Sequence, residues 1–332
     1  MAVIVKNLHV RRGTLSLPGA AVPFWGFSTS SGRAPTLPGP LIEAEVRDIL
    51  YITIRNREIS YPVSLIFPGQ RDIRVRRPRS EWTRVSPDYV NGILVSLTDQ
   101  LELGSDARLR YMFTASRPGV FLYESGSMPE IENQMGLYGV LLVRPRGFDI
   151  PGHPAYRTAY GPRTGSGFDL EKILVLGELD SQLHSSVSLG AGYNILEYSP
   201  DFWLLNGRSY PDTLKNDGDP GLPSQPAGSV ITAEAGQRVL LRIANAGFIP
   251  HTLHLGGLAG RVVAEDGFPL KSRTSDITYQ KTAVTVGPGQ TCDVMIVSER
   301  SGEFFLRARE YNRLLNRDAF PGGIIARMSV GA

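Results

Sequence analysis

The stretch I-P-H-T-L-H-L-G-G at residues 249–257 contains two of the chain's five histidines. A related stretch, Y-P-V-S-L-I-F-P-G at residues 61–69, has the proline, the leucine and the final glycine at the same positions. The ungapped alignment places Val63 opposite His251 and Ile66 opposite His254. One copy of the stretch therefore has two histidines where the other has aliphatic residues. The function of the chain depends on what these two histidines do.

The segments just before the two stretches also align, residues 41–56 with residues 230–245. Similarity at a fixed separation is typical of an internal repeat, so the chain is predicted to duplicate one β-rich unit. Alternating apolar and polar residues between frequent turns predict seven or eight short strands in each unit, arranged as a Greek-key sandwich. We expect a first domain over 1–150, a linker over 151–168 and a second domain over 169–332.

The composition agrees with this picture and excludes some functions. The 332 residues suffice for two domains, and 36 glycines with 24 prolines favour turns over long helices. A net charge of +3 gives no strong attraction to nucleic acid or membrane. No apolar run reaches the roughly 18 residues of a membrane span, and the first ten residues resemble a strand and not a signal peptide. The single cysteine, Cys292, is expected to be a small core residue.

Several local expectations follow from the pattern. Residues 11–40 are predicted to form a long loop, and residues 180–199 to hold one short helix. Residues 70–82 carry five arginines, which indicate either a solvated, charge-mixed loop or a surface that binds a polyanion or a partner. Three carboxylates near residue 130 are expected to lie on the surface, with a cation site or acid–base role as the alternative; they are Glu124, Glu130 and Glu132.

Further motifs resemble those of the multicopper oxidases, a family built from cupredoxin domains. The similar segments are P-G-P-L-I-E-A-E-V-R-D at 38–48, G-V-F-L-Y-E-S-G-S at 119–127, M-G-L-Y-G-V-L-L-V-R-P at 135–145, F-W-L-L-N-G-R-S-Y-P-D-T at 202–213, P-G-Q-T-C-D-V at 288–294 and G-E-F-F-L-R-A-R-E-Y-N-R at 302–313. The resemblance covers nearly the whole chain. It implies an all-β fold of two cupredoxin-like Greek-key β-sandwich domains, whereas activity depends on the site and not on the fold.

The family carries copper on four motifs, H-x-H, H-x-H, H-x-x-H-x-H and H-C-H-x-x-x-H. The resemblance implies that two histidines of this set survive here. The former ligand positions are Ile66, Pro68, Glu124, Gly126, His251, His254, Gly256, Arg307, Ala308, Arg309 and Arg313. We therefore name no catalytic residue and no metal ligand, with His251 and His254 as weak candidates for a metal.

A blue-copper centre needs a thiolate and two imidazoles. The thiolate position is Ala308 and one imidazole position is Arg313, so such a centre is not expected. Two histidines three residues apart on a strand point to opposite faces and do not easily share one ion. We expect both to be hydrogen-bonded remnants and expect no cofactor, with copper as the alternative.

The function expected from this resemblance is non-catalytic: a structural or scaffolding protein that assembles with itself. The alternatives are a copper-dependent oxidoreductase with a rebuilt site and a protein that binds an anion in the emptied, arginine-lined site. The family also implies a homo-oligomer, a trimer or larger, and an extracellular or cell-surface location. We further expect a contact from Arg307 or Arg309 to Glu124, within the chain or between neighbouring chains.

Overall fold

The computed structural model describes residues 1–104 and 108–332. Almost all of its regular elements are strands. The first half contains β1 (Val3–Leu17), β2 (Ala20–Ser28), β3 (Gly39–Glu45), β4 (Ile49–Asn56), β5 (Arg74–Arg76), β6 (Thr83–Arg84), β7 (Asp88–Val90), β8 (Ile93–Ser96), β9 (Arg108–Thr114), β10 (Gly119–Glu124), the helix α1 (Pro129–Met135) and β11 (Tyr138–Arg144).

The second half repeats this all-β character. It contains β12 (Leu170–Leu179), the helix α2 (Ser181–Ser188), β13 (Phe202–Leu205), β14 (Ile231–Glu234), β15 (Arg238–Asn245), β16 (His251–His254), β17 (Gly260–Glu265), β18 (Phe268–Pro269), β19 (Tyr279–Lys281), β20 (Ala283–Val286), β21 (Thr291–Val297), β22 (Gly302–Ala308) and β23 (Ile325–Gly331). Three single 3₁₀ turns lie at Ile195–Glu197, Asp212–Leu214 and Tyr311–Arg313. In the part of the chain that the structure describes, no helix is long and apolar enough to cross a membrane.

The strand order shows the predicted duplication. One sheet of the first half runs β2-β1-β4-β9-β5-β6, and one sheet of the second half runs β13-β12-β15-β21-β17-β18. The facing sheets are β10-β11-β3 and β14-β23-β22-β16-β20. In each half, the first strand in chain order pairs in parallel with the strand that ends the aligned segment, β1 with β4 and β12 with β15.

A pair of matching asparagines repeats at the same place in the two halves. Asn56 ends β4 and donates from Nδ2 to the carbonyl of Tyr61, at 2.9 Å. Asn245 ends β15 and donates from Nδ2 to the carbonyl of Ile249, also at 2.9 Å. Each acceptor is the residue just before the proline that the two aligned stretches share. The repeat therefore extends to individual hydrogen bonds.

Each half has its own core between its two sheets, and a third apolar cluster joins the halves. In β4, Leu50, Ile52 and Ile54 point inward and are fully buried. The joining cluster packs residues such as Phe24 and Leu142 against Val175 and Phe202. The last strand of the first half ends at Arg144, and the first strand of the second half begins at Leu170. The exact domain boundaries stay a prediction.

One local prediction was wrong, and one element was missed. Much of residues 11–40 is not a loop, because β1 and β2 form a long hairpin whose register places Leu17 opposite Ala20. Gly19 adopts φ +74° in the intervening turn, and the apolar residues that alternate with polar ones along β1 are buried. The helix expected within 180–199 is α2, capped by the carboxylate of Asp180, but α1 was not foreseen.

Candidate functional site

The former copper-ligand position His251 lies at the start of β16 and is buried. Its Nε2 is 2.7 Å from Oε2 of Glu178, which is also buried on β12. The other oxygen of Glu178 accepts hydrogen bonds from the hydroxyl of Tyr198 at 2.9 Å and from the backbone N–H of Phe248 at 2.5 Å. This carboxylate is thus saturated with donors and holds the imidazole in one orientation.

The second nitrogen of His251 meets an arginine. Nη1 of Arg313 lies 3.2 Å from Nδ1 of His251 and also donates to the carbonyl of Pro250. A guanidinium nitrogen is only a donor, so Nδ1 accepts and Nε2 carries the proton that faces Glu178. The side chain of Arg313 is only 13% exposed and stacks over Trp203, with 5.1 Å from its central carbon to the ring centre.

A buried chain of charge therefore runs from Arg313 through His251 to Glu178. Arg313 and His251 are the two residues predicted at the imidazole positions of a blue-copper centre, and here the guanidinium lies within hydrogen-bonding distance of the imidazole. The thiolate position, Ala308, is buried and pairs with Leu253 of β16. These residues do not fit a copper ion: the sulfur is missing, and a fixed positive charge lies beside the remaining imidazole.

Cys292 does not replace the missing thiolate. It lies on β21 of the other sheet, pairs with Ile243 and is buried, as expected for a small core residue. Burial raises the pKa of its thiol to about 12, which disfavours the thiolate that would bind a metal.

His254 lies at the other end of β16 and points to the opposite side from His251, as the strand spacing predicts. Its Nδ1 accepts from the backbone N–H of Gly256 at 3.1 Å. Both histidines are therefore hydrogen-bonded, and their being remnants of a copper site stays a prediction. Burial lowers the pKa of His254, and the nearby charges of Arg307 and Arg309 lower it further.

Two further predicted ligand positions, Gly256 and Gly126, are also unsuited to imidazoles. Gly256 adopts φ +68°, and a Cβ there would lie 2.9 Å from the carbonyl oxygen of Phe305. A Cβ on Gly126 would lie 2.8 Å from Cγ2 of Ile66. A histidine at either position would need the neighbouring backbone or side chain to move.

The positions of the first half pair as their repeat partners do. Ile66 and Glu124 exchange backbone hydrogen bonds, just as His254 pairs with Arg307 in the second half. Pro68 follows Ile66 at the end of the aligned stretch and lines a cavity of about 330 Å³ that also contacts Arg117. The structure thus brings the aligned ligand positions to equivalent places in the two sandwiches.

The expectation that the three carboxylates lie on the surface holds only for Glu130. Glu132 is fully buried because α1 turns it inward, where the hydroxyl of Ser125 donates to it. Glu124 is partly buried. Burial raises the pKa of Glu132 well above its usual range and that of Glu124 to about 7.

The expected contact between Glu124 and an arginine does not form within the chain. Among the described residues, Glu124 has no ion pair, and Arg307 and Arg309 both stack over Tyr311 at 5.5 Å. The arginine-rich stretch at 70–82 also differs from a plain loop, since Arg74–Arg76 form a short strand between β9 and the edge strand β6 of the first sheet. Within residues 1–104 and 108–332, no group of three histidine, cysteine, aspartate or glutamate side chains is placed to hold a metal ion.

Comparison with known proteins defines the class of protein as a double cupredoxin-like β-sandwich. Residues 201–309 match the family model described as multicopper oxidase. The resemblance to multicopper oxidases is thereby confirmed for the second half at the level of sequence. No curated protein is similar enough in sequence to this chain to count as a match.

Solved structures extend the likeness to both halves. A blue copper oxidase from Nitrosomonas europaea is 20% identical with a TM-score of 0.73, over 99% of this chain and 86% of that one. The multicopper oxidase mgLAC is 22% identical with the same TM-score and coverage. A copper nitrite reductase from Nitrosomonas europaea is 19% identical with a TM-score of 0.67, over 99% and 94%. At these identities the comparison establishes the fold alone.

The sequence could not show two central residues of the site. Glu178 lies in a strand pattern 73 residues before His251, and nothing in its neighbourhood marks it as a partner. The contact of Arg313 with His251 was also not foreseen, although both positions were predicted to be former ligand positions. The one available signal was a carboxylate within the otherwise apolar run L-V-L-G-E-L at 174–179, where a buried charge requires a partner.

Proposed function

We propose that this chain is a non-catalytic, self-assembling structural protein on the multicopper-oxidase fold, in which ionic and hydrogen-bonded contacts stand where copper would be held. The observation that carries the proposal is the 3.2 Å contact between Nη1 of Arg313 and Nδ1 of His251. The nitrogen that would bind a metal is already an acceptor for a cationic donor.

Electrostatics supports the loss of copper at this position. Two like unit charges roughly 4 Å apart repel by about 4 kcal/mol at an effective dielectric near 20. A copper ion beside His251 would therefore have to displace Arg313 from its contacts with Pro250 and Trp203. Such displacement would also leave Glu178 without the cation at the far end of the chain of charge.

The surface of the first half supports self-assembly. The hairpin of β7 and β8 exposes large apolar side chains: Tyr89 at 59%, Val90 at 54%, Ile93 at 68% and Leu94 at 48%. Beside it lies a groove of about 570 Å³ lined by residues such as Pro62, Leu97 and Met128. Contiguous exposed apolar surface of this kind marks interaction sites, and a two-stranded hairpin by itself is marginally stable. We assign a second copy of this chain as the occupant.

A second candidate function is anion binding beside His254. Arg307 and Arg309 form no ion pair with a carboxylate in the part of the chain that the structure describes, and both flank the exposed ring of Tyr311. A copper-dependent oxidoreductase, the third candidate, would need a further ligand for either histidine.

Mass, shape and metal content measured on one purified sample separate these candidates. The proposal predicts an oligomer with far less than one copper per chain. A monomer that carries stoichiometric copper would favour the oxidoreductase. A monomer without copper that takes up phosphate, and loses it on an Arg307→Gln change, would favour the anion-binding function.

A further inference from the structure

The outer face of the six-stranded sheet of the first half carries a polar groove of about 300 Å³. It lies on β1, β4, β9 and β5, on the opposite face of the sheet from the core. Its walls include Asn7 and Thr53, but arginines dominate it. We call it the arginine groove after its six arginines, Arg55, Arg76, Arg77, Arg79, Arg108 and Arg110.

The register of the sheet places these arginines side by side. One row across four strands runs from Asn7 through Thr53 and Arg110 to Arg76, in which the last two are directly paired. In the next row on the same face, Arg55 is directly paired with Arg108. Like charges directly opposite each other destabilise a sheet, so the free protein bears a cost that a bound anion would remove.

Carboxylates of the chain compensate only part of this charge. Arg77 forms an ion pair with Asp99 at 3.1 Å. Among the residues that the structure describes, Arg76, Arg79 and Arg110 pair with no carboxylate. Nε of Arg110 is buried and without a hydrogen-bond partner.

Aromatic rings orient two of the arginines instead. Arg76 lies over Trp82 at 5.0 Å, and Arg110 lies over Tyr51 at 4.7 Å. The two rings contact each other, with centroids 5.9 Å apart. Stacking fixes the plane of a guanidinium and leaves its N–H groups available for a ligand. The groove therefore presents preorganised donors and not flexible surface charges.

The positive field of this face extends to a neighbouring histidine. His9 pairs with Arg55 in the same row, and burial lowers its pKa with additional contributions from Arg55, Arg57 and Arg11. The part of this lowering that comes from the arginines shows that His9 lies in a positive electrostatic potential. Such a potential attracts anions.

We propose that the arginine groove binds a small ligand that carries two or more phosphate or sulfate groups. Planar guanidinium groups bind both oxyanions through paired N–H···O contacts, and adjacent arginines match adjacent charged groups. The limited volume of the groove, about 300 Å³, favours a compact ligand over an extended polymer. This inference is independent of the proposed structural function, because no residue of the groove belongs to the former copper positions.

Calorimetric titration of the full chain with inorganic tripolyphosphate tests the proposal, with orthophosphate and a sulfated disaccharide as further probes. We expect one saturable site per chain, at least tenfold weaker binding of orthophosphate, and loss of binding in the double variant Arg76→Gln, Arg110→Gln. The sulfated disaccharide binding more tightly than tripolyphosphate would assign sulfate as the charged group, and the reverse would assign phosphate. The matched control is Arg273→Gln, Arg300→Gln, two exposed arginines of the second half, which should bind as the parent does.

Stability without ligand provides a second readout. The groove variant removes a directly opposed pair of like charges, so without ligand it should melt at the same temperature as the parent or higher. Tripolyphosphate should raise the melting temperature of the parent and of the control, but not that of the groove variant. Absence of saturable binding, or equal weakening in the control, would overturn the proposal. A long polyanion such as heparin or DNA that occupies many sites per molecule and binds far more tightly would also overturn it, in favour of a polymer surface.

Discussion

Nη1 of Arg313 lies 3.2 Å from Nδ1 of His251, and the other ring nitrogen lies 2.7 Å from the carboxylate of Glu178. An imidazole thus links a cation and an anion across residues that are far apart in sequence. The three side chains connect β12, β16 and the 3₁₀ turn at Tyr311–Arg313, so the contact also fastens the turn to the second sandwich.

The first prediction concerns the anion of this chain of charge. Glu178→Ala should lower the free energy of unfolding by about 3–5 kcal/mol, because it removes one partner of a buried pair and leaves the donors that bind its carboxylate unsatisfied. Urea unfolding followed by fluorescence measures the change. The control Glu130→Ala alters an exposed carboxylate and should stay within about 0.5 kcal/mol of the parent. Equal effects of the two changes would show that the His251–Glu178 contact contributes little.

The second prediction concerns the cation. Arg313→Ala should destabilise the protein by about 2 kcal/mol, because the charged hydrogen bonds to His251 and Pro250 are lost. Arg317→Ala is a matched control, since Arg317 also stacks over an aromatic ring, Phe202 at 5.3 Å, and pairs with Asp201. Its side chain is half exposed, so its loss should cost less than about 1 kcal/mol. If thermal unfolding showed that Arg317→Ala destabilises the protein more than Arg313→Ala does, the stabilising role assigned to Arg313 would be contradicted.

The duplication and the all-β class could be predicted because they depend on local patterns, whereas the former ligand positions stay a prediction. The alternation of apolar and polar residues predicted the strands, and the alignment of the two stretches predicted which residues occupy equivalent positions in the two halves. The hairpin of β1 and β2 was missed because Gly13 and Gly19 indicated a loop, although Leu15 and Leu17 alternate with polar residues. The buried position of Glu132 and the Arg313–His251–Glu178 chain depend on packing between distant elements, which no local pattern contains.

The third prediction is a pH dependence that comes from Glu124. Its folded pKa of about 7 lies above the unfolded value, so the folded state binds the extra proton between them. The associated stability is fully present below the unfolded pKa and is lost as pH rises through about 7. Glu124→Gln should therefore flatten the fall in the urea midpoint between about pH 5 and pH 8.

Glu132 contributes in the same direction, since its pKa is also raised, so some slope should remain in the Glu124→Gln variant. The control for this experiment is Glu130→Gln, which should keep the slope of the parent. If Glu124→Gln and the parent lose stability with pH at the same rate, Glu124 does not titrate as its burial implies.

The fourth prediction tests the assembly surface. Ile93→Glu places a charge at the tip of the exposed hairpin and should shift the protein toward smaller species in light scattering coupled to size exclusion, because a charge opposes burial of that surface. Ile277→Glu is the matched control, since Ile277 is 65% exposed on the second half. A parent that is already monomeric, or two variants that assemble equally, would contradict the proposed surface.

The central claim is that Arg313 and Ala308 leave no place for copper beside His251. The most direct measurement is elemental analysis of copper after incubation of the purified chain with Cu²⁺ and dialysis, with an absorption spectrum of the same sample. The account predicts far less than one copper per chain and no blue thiolate-to-copper band. One or more copper ions per chain, retained together with oxidase turnover, would contradict it.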